Sequence, residues 1–271
     1  PGGTVDAMVE GAPYADYDCR QALGKALAPA ATMKEAGRLL KKARGFHRGQ
    51  GRSSVIRVLG ELLGHESSPL GKKLLGSAST KVTDVMLDRL EWEAHPDALV
   101  NAMWILGDYY APAYKAMPHL KELAEDGSRR DLVRSKAAAH YGATAFLRKP
   151  RPSDKALDTF VGWLKSGNVW VRVKGAYYLG RLADRRLLDK LPAGFEAKAT
   201  DRLKATLGKE SELVAKATMA AALDKLTGSN RLEQVRGRFE SKHLPHSVNT
   251  AELTIESSLP TSRLQSLLTL L

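Results

Sequence analysis

With a single cysteine among 271 residues and aromatics at only 6%, the chain is short of the material that several protein classes need. Cys19 has no partner for an internal disulfide, and a thiolate zinc site of two or more cysteines is excluded. No apolar run approaches the ~18 residues that suggest a membrane-spanning helix. The start, PGGTVDAMVEG, carries neither the basic residues nor the apolar stretch of a leader peptide. A chain beginning at Pro1 is expected to have lost something upstream, whether a leader, a tag or a preceding domain. Two-residue alternation of apolar and polar side chains is scarce, which argues against a sheet protein. The short catalytic signatures are missing too: there is no Gly-x-Ser-x-Gly elbow, no His-Glu-x-x-His and no phosphate-binding Gly-x-x-x-x-Gly-Lys-Ser/Thr. His243 and His246 stand close in HLPH, but Pro245 lies between them and no third ligand is near, so no metal and no cofactor is expected.

What remains is apolar and basic. Hydrophobic residues make up 43%, ample for a core, and abundant Ala, Leu and Lys favour helix. Lys and Arg outnumber Asp and Glu by 42 to 30, a formal charge of +12. The excess is spread along the chain without a basic tail, so an anionic partner would have to meet a folded surface.

The clearest pattern is a recurring segment, best seen in NVWVRVKGAYYLGRLAD from Asn168 to Asp184. Val171, Ala176 and Leu179 fall at helical spacing, and the small Gly175 and Gly180 let a second helix approach. Its Leu-Gly signature recurs with Gly24 in QALG, Gly60 in RVLG, Gly107 in WILG, Gly142 in AHYG and Gly180 in YYLG, and Asp224 takes the place in a further unit. Eight positions before the last five of these stand Arg52, Leu99, Arg134, Arg172 and Lys216, four of them basic. This combination resembles the inner helix of a HEAT repeat, whose period of ~40 to 47 residues suits these intervals. The basic column resembles the arginine after the turn within a repeat, and Asp131 in DLVR the acidic residue that often precedes it.

Each inner helix should follow an outer one, and TMKEAGRLLKKAR, VTDVMLDRLEW, YKAMPHLKELAED, KALDTFVGWLKSG and KATDRLKATLG have the required periodicity. Pro118, inside one of them, marks either a helix start or a kink. The resemblance implies an all-α, right-handed solenoid of about five to six helix pairs. Residues 1–13 are expected to be a linker or frayed end, 14–243 the repeat domain, and 244–271 a partly extended crossing segment that ends in a cap or partner-binding tail. In that tail Leu264, Leu267, Leu268 and Leu271 form an amphipathic stripe.

Two groups of candidate residues follow. The column of Arg52, Arg134, Arg172 and Lys216 is expected to be a structural ladder between repeats. Lys136, Lys174 and Arg181 share inner helices, which in this architecture line the concave surface, with Trp104, Asp108 and Tyr177 as its aromatic and acidic members. Such a surface fits a non-catalytic scaffold for an acidic or protein partner. It also fits a nucleic-acid binder that stacks bases on aromatics, with Asp108 as the carboxylate of a glycosylase-like enzyme. A third reading is the accessory helical domain of a larger enzyme. A cytoplasmic protein and an exported one with its leader removed are both compatible with the composition.

Overall fold

The computed structural model describes residues 2–64, 70, 79–109, 111–147, 151–184, 187–228, 246–249 and 254–257. They are helical apart from one short antiparallel strand pair. They fall into two compact units, 1–156 and 157–271.

In the first unit the helices are α1 (Gly2–Gly11), α2 (Tyr17–Leu27), α3 (Met33–Gly45), α4 (Gly49–Gly64), α5 (Ser79–Trp92), α6 (Pro96–Tyr109), α7 (Met117–Glu125) and α8 (Asp131–Leu147). Their starts are written in the sequence. Asp16 accepts the Cys19 N–H at 2.8 Å to cap α2, and Thr32 with Glu35 forms a reciprocal capping box on α3. Pro118 sits in the first turn of α7, where its missing N–H costs nothing.

Two layers result. α2, α4, α6 and α8 contact one another in succession, and α3, α5 and α7 each contact the inner helix that follows them and the next outer helix. Ile56, Leu59, Leu62, Leu99, Met103 and Ile105 are fully buried between the layers. The anchor glycines explain the close inner spacing: a Cβ on Gly24 would collide with Glu61 and lie 2.8 Å from the Val58 carbonyl oxygen of α4. Asn101 of α6 adds a polar tie, donating to the Ser53 carbonyl and hydroxyl of α4 at 3.1 Å each.

The expectation of a frayed start is overturned. Residues 2–11 form α1, whose Val9 is fully buried. Asp6 pairs with Arg38, and Glu10 pairs with Arg38 and Lys42 at 2.8 Å each. The two acids lie one helical turn apart and face the basic side of α3, so cross-helix charge outweighs the poor helix propensity of Gly2 and Gly3.

The second unit takes in most of α9 (Asp154–Trp163), then α10 (Val169–Asp184), α11 (Phe195–Leu207), α12 (Leu213–Thr227), β1 (His246–Asn249) and β2 (Thr254–Ser257). α10 contacts α12, and α11 contacts α12. Gly180 brings α10 against α12, where an added Cβ would come within 3.2 Å of the Ala222 Cα. Phe160 of α9 stacks on Tyr178 of α10 at 5.3 Å between centroids. The expected single repeat domain over 14–243 is thus divided between two units. β1 and β2 pair from His246 with Ser257 to Asn249 with Thr254. The leucine stripe at 264–271 lies outside the described residues.

Candidate functional site: the arginine ladder and the inner-helix face

Three residues before α4 and α10 begin, the chain turns with a backbone carbonyl pointing along the repeat edge. Arg52, one turn into α4, donates from Nη1 to the Phe46 carbonyl at 2.6 Å. Its Nε and Nη2 form a fork on Glu93, 2.6 and 2.7 Å from the two carboxylate oxygens. Arg172, at the matching place in α10, donates from Nη1 to the Ser166 carbonyl at 2.8 Å and forks onto Glu210 at 2.6 and 3.0 Å. Each carboxylate also accepts the N–H two residues on, His95 for Glu93 and Glu212 for Glu210, at 2.9 Å. Each guanidinium therefore joins the turn ahead of its own inner helix to the turn ahead of the next.

These clasps are largely shut off from water. The Glu93 side chain is 0% exposed and Glu210 4%, against 18% and 15% for their arginines. Burial pushes both carboxyls up. The arginine fork, the turn N–H and the neighbouring positive charge outweigh it, leaving both below the ordinary glutamate value. Hydrogen bonding to Glu93 in turn raises Arg52. A buried fork of this kind is weak evidence of net stabilisation, but removing either partner strands a charge.

The other column positions behave differently. Leu99 is fully buried and has no charge to offer. At that rung the guanidinium arrives from the opposite side: Arg129, in the turn before α8, donates from Nη1 to the Glu93 carbonyl and from Nε to Asp126 Oδ2, both at 3.2 Å. Glu93 O is the counterpart of the Phe46 and Ser166 carbonyls. Asp126, which accepts the Ser128 N–H at 2.9 Å, is the counterpart of the turn glutamates. The rung is present but reversed, and more exposed, at 29% and 35% for its two side chains. Hydrogen bonds from Ser128 are the main reason that the Asp126 carboxyl lies below its ordinary value.

Arg134 donates instead to the Ala124 carbonyl at 3.2 Å. The turn residue at the corresponding sequence position, Ser166, is a hydroxyl that accepts the Asn168 N–H at 3.2 Å. Lys216 is half-buried near the start of α12. The turn acceptor of the third repeat is Asp126, five residues ahead of the expected Asp131.

The second candidate group divides by unit. In the first, a Cβ on Gly60 would collide with the Trp104 ring. The other side of that ring system is taken by Arg57, whose guanidinium carbon lies 4.1 Å from the centroid while its Nη2 pairs with Glu61 at 2.6 Å. Lys136 is half-buried on α8. Asp108 falls in the last turn of α6, and its side chain lies outside the described residues. In the second unit, Lys174 is only 5% exposed. Its Nζ and the guanidinium of Arg181 each lie 5.8 Å from the Tyr177 centroid, one helical turn to either side. The side chains of His243 and His246 lie outside the described residues, and no described helix is long and apolar enough to cross a membrane.

No protein-family profile matches the chain, and no curated protein matches it in sequence.

Sequence reasoning missed the acceptor half of the ladder, Glu93, Asp126 and Glu210, and with it Arg129. A signal was there. In two of three cases the acid stands three residues before an inner helix, 41 or 38 positions after its arginine.

Proposed function

We propose that the chain is a HEAT-like, right-handed α-solenoid acting as a non-catalytic scaffold, presenting the exposed side of its inner helices to an acidic protein partner. One observation carries the reading: the inner-layer rings of both units are already faced by cations, Trp104 by Arg57 and Tyr177 by Lys174 and Arg181. A nucleic-acid base seeking those rings would have to displace a cation–π partner, whereas a carboxylate on a protein surface can add to the guanidinium already held there. The ladder arginines, committed to turn carboxylates and carbonyls, fit a framework role beneath that surface.

The net charge of +12 favours a second reading, a helical-repeat protein that binds nucleic acid. One experiment separates the two. A photo-crosslinking amino acid placed at Tyr177 should capture a discrete protein partner, and capture should fail when Arg181→Glu is added. Submicromolar DNA or RNA binding at physiological salt that depends on Trp104 or Arg181 would overturn the scaffold, and base excision lost in Asp108→Asn would make the protein an enzyme.

A further inference from the structure

The reversed rung leaves a space that the other rungs fill. Where Arg52 and Arg172 each send a guanidinium across the repeat edge, the corresponding residue is Leu99, and Arg129 enters from the next turn instead. A hollow of about 540 Å³ opens beside it. Its floor is apolar, made by Leu99 and Val133, both essentially buried, with Pro96 and Ala94. Arg129 and Arg130 stand at its rim. The charge on Arg129 is matched by Asp126 at 3.2 Å. Arg130 is exposed, and its guanidinium makes no ion pair with a described residue.

We infer that this notch is a docking point for an extended acidic segment of a partner protein, one that seats an aliphatic side chain on Leu99 and Val133 and sets a neighbouring carboxylate against Arg130. The notch rests on the reading of the protein as a scaffold for an acidic partner and adds a second contact in the first unit. Its chemistry selects a peptide. An apolar floor takes a side chain, and the single uncommitted guanidinium takes a carboxylate as a fork. A nucleic-acid strand would need a row of cations and open stacking rings, and the floor supplies neither. In an extended peptide neighbouring side chains leave on opposite faces, so a carboxylate flanking a seated leucine reaches the rim while the leucine stays on the floor.

The test uses the full chain and a labelled alternating leucine–glutamate peptide, with the leucine–glutamine version as control, followed by fluorescence anisotropy at physiological salt. Arg130→Glu reverses the rim charge at an exposed position, and Ala94→Phe plugs the hollow from its exposed edge, so neither change disturbs the core. Each should weaken peptide binding roughly tenfold or more, while Arg181→Glu in the second unit leaves it unchanged. Binding weakened by Arg181→Glu alone would overturn the notch and leave the inner-face reading standing. No binding by the parent protein, or equal binding of the glutamine control, would also overturn it. An oligothymidine strand that binds through Arg130 while the peptide does not would replace the peptide with nucleic acid.

Discussion

The segments 51–60 and 171–180 solve one structural problem with different side chains. Position by position they share the same alternation of buried and half-buried residues. Both hold an arginine in the second place, and in both it forks onto a turn glutamate and bonds a carbonyl six residues back. The fillings differ: Ser54 bonds the Ala15 and Gln50 carbonyls where its counterpart Lys174 lies over Tyr177. What the two regions hold in common is the clasp and the small anchor residue, Gly60 or Gly180. What varies is the material on the inner-layer side. The repeat edge is therefore the framework, and the exposed side of the inner helices is the part free to carry specificity. The third rung sharpens the point, because with Leu99 in the column a guanidinium still bridges the two turns, from Arg129.

The comparison is broken hardest by removing the buried acid. Glu93→Ala strands Arg52 and frees the His95 N–H, and should cost about 2–4 kcal/mol in denaturant unfolding. Arg172→Ala should cost a similar or slightly smaller amount, and Arg134→Ala clearly less, because Arg134 has a single carbonyl contact at 3.2 Å. Gly60→Ala forces the Trp104 ring off α4 and away from Arg57. A loss of about 1–3 kcal/mol is expected, with a change in tryptophan fluorescence as the structural readout.

Acid titration sharpens the same comparison. The Glu93 and Glu210 carboxyls lie below their ordinary value when folded, so their stabilisation is fully present above the unfolded glutamate value of about 4.3. It is lost as pH falls through the lower folded values. Acid unfolding should therefore begin below that point, and Glu93→Gln should flatten the acid limb of the stability profile. The smallest effect belongs to the reversed rung. Arg129→Ala should lower the unfolding midpoint by a fraction of the Glu93→Ala shift, and the difference should shrink as salt is raised, because that pair faces water.

Much of this was legible in the sequence, for physical reasons. The outer helices stand where apolar residues recur every three or four positions. The anchor glycines mark close helix approach because only a missing Cβ allows it. The arginine column was visible because repeats repeat their contacts. The acceptors were hidden: a glutamate in a turn reads as an ordinary solvated charge until the chain closes a loop of some forty residues and buries it. Arg129 was further out of reach, since the compensation for Leu99 comes from another turn. The helix at residues 2–11 depends on Asp6 and Glu10 meeting Arg38 and Lys42, a pairing that local propensity cannot register.

The central claim, that the arginine column clasps repeat to repeat, is tested most directly by a double-mutant cycle on Arg52 and Glu93. Arg52→Ala, Glu93→Ala and the double variant would be unfolded in urea beside the parent. Strong coupling is predicted, with the double variant losing much less than the sum of the two single losses, because each single change strands the partner that the double change removes. Additive losses would contradict the clasp, and single variants as stable as the parent would remove the column from the framework altogether.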